Sequence, residues 1–112
     1  MRDQKLLLED ILESIGIIES QVKGADKSKF MGDIPFQDAI IRRLSVIGEA
    51  AKNVSKELKE KHKNINWKGI IGMRNLIVHE YFEMDLDLVW EAVERDIPIL
   101  KRAINEMMKE LK

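Results

Sequence analysis

The chain has 112 residues, enough for one hydrophobic core and too few for two, so a single domain over 1–112 is expected. Hydrophobic residues make up 45% and charged residues 35%, but aromatics only 5%, a mixture that favours helices over sheets. With 19 basic and 20 acidic residues there is no global positive field for nucleic acid, and with no cysteine there are no disulfides, thiolate metal sites or cysteine nucleophile. No apolar run approaches the ~20 residues of a membrane span and no apolar signal core opens the chain, so a soluble, cytoplasmic protein is expected.

Leu7, Leu8, Ile11, Leu12, Ile15, Ile18 and Val22 recur at three- and four-residue spacings, which predicts a first helix from about Arg2 to Val22 with one apolar face. A polar stretch, Lys23 to Ser28, follows with Gly24 as a helix stop. Asp33 is then a capping residue and Pro35 fits the first turn of a second helix. In that helix Ile40, Leu44, Ile47, Ala51, Val54 and Leu58 form a narrow stripe, carried on into a charged, solvated end from Lys56 to Lys63. Gly48 costs roughly 1 kcal/mol inside a helix relative to Ala, a cost that close approach of a neighbouring backbone would justify.

Asn64 or Asn66 is positioned to cap a third, shorter helix from Trp67, with Ile70, Met73 and Ile77 as its buried stripe. Asp85 and Asp87 offer caps for a fourth, striped by Val89, Val93, Ile97, Leu100, Ile104, Met107 and Leu111. Pro98 lacks an N–H and clashes with the preceding turn, so a kink or short break is expected near Asp96 and Ile97. The whole predicts an all-α, up-and-down bundle of four to five helices.

One segment concentrates reactive chemistry: Arg74, Asn75, His79 and Tyr81 lie within eight residues. On an α-helix Arg74 and Tyr81 share a face, and Asn75, four residues before His79, can orient its ring. His79 is about 140° around the helix from Arg74. The two converge if the helix ends near His79, if the arginine reaches around, or if a second subunit contributes across a two-fold interface. RNA cleavage by 2′-hydroxyl attack needs a proton acceptor, a proton donor and fixed positive charge beside the phosphorane, and His79 with Arg74 supplies such a set without a metal. The same residues have plain structural uses. His79 can cap a helix, Arg74 can pair with Glu80 or Asp85, and Tyr81 can sit at the edge of the core. His62, amid lysines, reads as a solvated surface histidine, and Trp67 and Trp90 as core or interface anchors. Arg42, Arg43 and Lys52 fit either a local RNA-binding patch or a solvated helix face.

Arg74, His79 and Tyr81 match the R-x4-H-x-Y pattern of HepT-like HEPN proteins. Residues 41–52, 67–75 and the ordered set Tyr81, Phe82, Asp85, Val89, Trp90, Asp96, Ile97 and Pro98 also resemble that family, so the likeness covers nearly the whole chain. The resemblance implies a HEPN-type helical homodimer acting as the RNase toxin of a toxin–antitoxin pair, cutting tRNA or mRNA without a cofactor or metal. Its antitoxin would be a minimal nucleotidyltransferase. By the same resemblance Arg74 and His79 are catalytic and meet in a cleft at the dimer interface, Asn75 orients, and Tyr81 is the tyrosine that the antitoxin modifies with AMP. An alternative is a non-catalytic module that binds a nucleotide or partner in support of such a nucleotidyltransferase.

Overall fold

A computed structural model describes residues 3–76 and 85–111. Every regular element among them is helical. Helix α1 spans Gln4–Val22, and Asp3 caps it by accepting a hydrogen bond from the Lys5 N–H. The chain then turns at Gly24, whose φ of +76 is the left-handed conformation that glycine adopts without a Cβ clash. A short helix α2, Lys27–Met31, follows within the stretch expected to be an irregular connection. It forms because Asp26 accepts from the Lys29 N–H and Phe30 can be fully buried.

Helix α3, Ile34–Lys52, starts as predicted, with Asp33 accepting from the Phe36 N–H at 3.0 Å and Pro35 in the first turn. It ends earlier than the apolar stripe implies. The backbone breaks over 53–55, and Ser55 caps a separate helix α4, Lys56–Lys61. Gln4, from the start of α1, fastens the break: its side chain donates to the Asn53 C=O at 3.2 Å and accepts from the Ser55 N–H at 2.7 Å. Val54 and Leu58 stay buried on both sides of it, so the stripe marked burial correctly and continuity wrongly.

Asn66 caps helix α5, Trp67–Gly72, which tightens into a 3₁₀ turn at Met73–Asn75. Helix α6, Leu86–Glu91, is capped by Asp85, whose carboxylate accepts from the Asp87 and Leu88 N–H groups. A π-helical segment, Ala92–Asp96, joins it to helix α7, Ile97–Glu110. The Ile97 N–H donates to the Ala92 C=O, five residues back. Pro98 therefore enters α7 in its first turn, where its missing N–H has least effect, and the expected kink or break becomes a widened turn within a continuous helix.

The core lies where α1 packs against α3 and α7, with Leu8, Ile15, Leu44, Ile47, Leu100 and Ile104 excluded from water. A second apolar centre ties α2 to α3 and α6: the rings of Phe30 and Trp90 stack at 5.0 Å between centroids, and Phe36 meets Phe30 edge-on at 5.7 Å. Trp90 is thus a core anchor. His62 departs from its expected solvated position: it is 7% exposed, with Nε2 3.3 Å from Glu110 Oε1 and Nδ1 3.9 Å from Glu106 Oε2 on α7. The signal was its position four residues after buried Leu58, which turns it to the same inward face. Trp67 is half-buried and donates its indole N–H to the His62 C=O at 3.0 Å. Among the described residues no helix is long and apolar enough to cross a membrane.

Candidate active site

Of the candidate site residues, Arg74 and Asn75 lie among the described ones. Arg74 sits in the 3₁₀ turn that ends α5, and that turn lies against α3 at its smallest residue. A Cβ built on Gly48 would stand 2.5 Å from the Arg74 nitrogen and 2.7 Å from the Ile70 C=O, closer than any side chain tolerates. The glycine is therefore required by the close approach that the sequence suggested. One turn earlier on α3, the buried Ser45 hydroxyl donates to the Arg74 C=O at 2.9 Å. Two contacts from one helix thus hold the arginine's backbone, which leaves its side chain to point outward.

The Arg74 side chain is 35% exposed, and its Nη1 is 3.9 Å from the Glu49 carboxylate, itself mostly exposed. That pair is long and wet, so it holds the arginine weakly, and among the described residues no closer carboxylate competes with an incoming phosphate. Among the described residues the acid beside Arg74 is Glu49. Asp85 spends its carboxylate on capping α6, and Glu80 lies outside the described residues. Asn75 is exposed within the same 3₁₀ turn. His79 and Tyr81, with Ile77, lie outside the described residues, and of the site candidates Arg74 and Asn75 are the ones that lie within them.

Ser45 and Glu49 are the residues that reasoning from the sequence missed, while Gly48 was singled out without its partner. Their signal was their 3- and 4-residue spacing, which lays a polar and small stripe beside the apolar one on α3. Of the residues considered for a local basic patch, Arg42 and Lys52 are exposed. Arg43 is half-buried, with Nη1 donating to the buried Ser14 hydroxyl at 3.4 Å. Among the described residues no cluster of three His, Asp or Glu forms a metal-binding set.

Comparison with known proteins adds the family context. The profile of the ribonuclease HepT-like family matches residues 11–107. A protein of Methanocaldococcus jannaschii named as a gamma-glutamylcyclotransferase and RNase is 44% identical over 98% of this chain, and this chain spans half of that relative's length. A protein of Caldanaerobacter subterraneus named as an RNase is 37% identical, with both chains covered completely. A protein of Thermococcus cleftensis named as a ribonuclease HepT is 38% identical over 96% of this chain and 98% of its own. All three names assign the RNase activity provisionally. No solved structure gives a significant match.

Proposed function

Because this chain belongs to the HepT-like ribonuclease family, we propose that it is a metal-independent endoribonuclease whose active site is built on Arg74 and His79. The observation that carries the proposal is the family match across the whole R-x4-H-x-Y segment, which joins RNase-named relatives to a chain holding that motif intact. The half-exposed, backbone-anchored side chain of Arg74 supports it, since a phosphate-binding arginine needs a fixed base and a guanidinium that a phosphate can reach.

In the reaction, the 2′-hydroxyl of the substrate attacks the adjacent phosphorus and loses its proton, while the 5′-oxygen of the next nucleotide leaves and gains one. His79 moves the proton, because an imidazole with an ordinary pKa near ~6.5 exchanges protons at neutral pH. Arg74 offsets the charge that builds on the phosphorane oxygens. Asn75 orients the histidine. A homodimer, with the two motifs facing a shared cleft, brings the arginine and histidine to one phosphate.

The finer reading is that of a toxin held in check by a minimal nucleotidyltransferase antitoxin that modifies Tyr81 with AMP. The added phosphate places negative charge beside the path of the RNA backbone and repels it. The substrate is tRNA or mRNA.

The deciding experiment is cleavage of a labelled tRNA pool, then mRNA, by the purified protein in EDTA, beside folded His79→Ala and Arg74→Ala proteins. Cutting by the wild type that both substitutions reduce by a hundredfold or more is the expected result. A wild type that leaves both RNA classes intact would sink the RNase reading.

A further inference from the structure

The formal charge of −1 hides an uneven distribution. Positions 52–68 hold Lys52, Lys56, Lys59, Lys61, Lys63 and Lys68 against Glu57 and Glu60, an excess of four positive charges, while the other 95 positions hold 13 basic and 18 acidic residues. The positive charge is thus gathered at the end of α3, on α4 and at the start of α5, on a chain that is otherwise acidic.

These lysines face outward: five are exposed and Lys59 is half-buried. None of the six is ion-paired with a carboxylate of the described residues, whereas Lys27, Lys29, Arg95 and Lys101 each have one. Lys59 is the most telling. Its Nζ donates to the Lys52 C=O at 3.3 Å, and burial pushes its pKa below the ordinary lysine value, so its ammonium has lost water without gaining an anion. Glu106 and Glu110 on α7 lie 3.9 and 3.3 Å from the buried His62 ring, and with the exposed Glu57 and Glu60 they are outnumbered by the six lysines.

Both ends of this surface lead to Arg74. Lys52 follows Gly48 by one helical turn, about 6 Å along the axis, and Gly48 is packed on the Arg74 nitrogen. Lys68 lies in the first turn of α5, the helix whose continuation delivers Arg74. The open groove of about 330 Å³ between α1 and α3 is a poorer path, because it sets Asp10, Glu13 and Glu49 against Arg43.

We infer that the lysine-rich surface over 52–68 is the docking face for the RNA substrate, which grips the sugar-phosphate backbone and feeds the strand to Arg74. The inference rests on the ribonuclease reading above. Flexible ammonium groups bind phosphate as point charges and read no bases, so this face supplies affinity and register, and sequence preference arises elsewhere. The acidic remainder of the molecule repels RNA and so orients its approach.

The test uses His79→Ala protein as a host that binds RNA without cutting it. Fluorescence anisotropy with a labelled single-stranded RNA, over a series of salt concentrations, compares three proteins: the host, the host with Lys56→Gln, Lys61→Gln and Lys63→Gln, and the host with Lys23→Gln, Lys29→Gln and Arg102→Gln. The last two lose the same net charge. The α4 variant is expected to bind at least tenfold more weakly, with a salt slope shallower by about 2, since each phosphate contact on a single strand contributes about 0.7. The control variant should shift less than threefold. Equal weakening of the two triple variants, or none in the α4 variant, overturns the inference while leaving the RNase reading intact, and an acidic protein becomes the partner to seek for this face. If the host binds no RNA and the wild type cuts none, the inference and the RNase reading fall together. Thermal melts of all three proteins show whether each is folded, and if the triple α4 variant is not, Lys61→Gln with Lys63→Gln replaces it against a matched double control.

Discussion

At the scale of single residues, the proposed site depends on what α3 offers to the backbone of Arg74. Replacing Gly48 by alanine sets a methyl 2.5 Å from that backbone nitrogen, where neither helix has a flexible group to yield. Gly48→Ala should therefore cost about 1–3 kcal/mol, seen as a thermal midpoint several degrees lower, and should reduce cleavage by moving the arginine. Gly72→Ala is the matched contrast. Gly72 lies at the end of α5 with nothing among the described residues within 4 Å of its built Cβ, so the same change should be neutral or stabilise by up to about 1 kcal/mol. That a backbone would approach Gly48 was legible from the sequence, because an interior helix glycine needs a packing reason. That the backbone would be Arg74's was not, since the two positions meet only when α5 folds onto α3.

At the scale of elements, the caps were the most legible features. Asp33 and Asp85 stand where a short acceptor meets the first free N–H groups of a helix, and both act there. The N–H of Phe36, donating to Asp33, holds that carboxyl below its usual range. A depressed folded-state pKa contributes stability that is present above the ordinary carboxylate range and lost as pH falls through the depressed value. Asp33→Asn keeps a capping oxygen that does not titrate, so urea denaturation from pH 6 to pH 2 should show a shallower acid loss than the wild type. The split between α3 and α4 was illegible because it is stabilised from elsewhere. Gln4 supplies two hydrogen bonds to backbone groups 49 and 51 residues away. Gln4→Ala should cost about 1–2 kcal/mol in chemical denaturation and leave helix content nearly unchanged by circular dichroism.

At the scale of the whole molecule, α1, α3 and α7 share one apolar centre, and Leu100 is fully buried in it. Leu100→Ala should destabilise by about 2–5 kcal/mol, measured by urea titration, because the removed methyl groups leave a cavity between three helices. The proposed homodimer has its own check: light scattering after gel filtration should return about twice the 13.0 kDa chain mass. A mass of one chain at micromolar concentration would count against a shared cleft.

The sequence by itself determined the helical class, the inward face of nearly every helix, the caps at Asp33 and Asp85, and the family, because periodicity, capping chemistry and an ordered motif are local properties of the chain. Tertiary structure decided where helices break, how a buried histidine meets Glu106 and Glu110, why Pro98 widens a turn, and how Arg74 is anchored on α3. Each of these, apart from the proline, joins groups 26 to 51 residues apart. Such contacts are set by the packing of whole helices, which no local window of sequence contains. The proline belongs with them for a related reason: several local geometries relieve its clash, and the packing of α6 and α7 selects one.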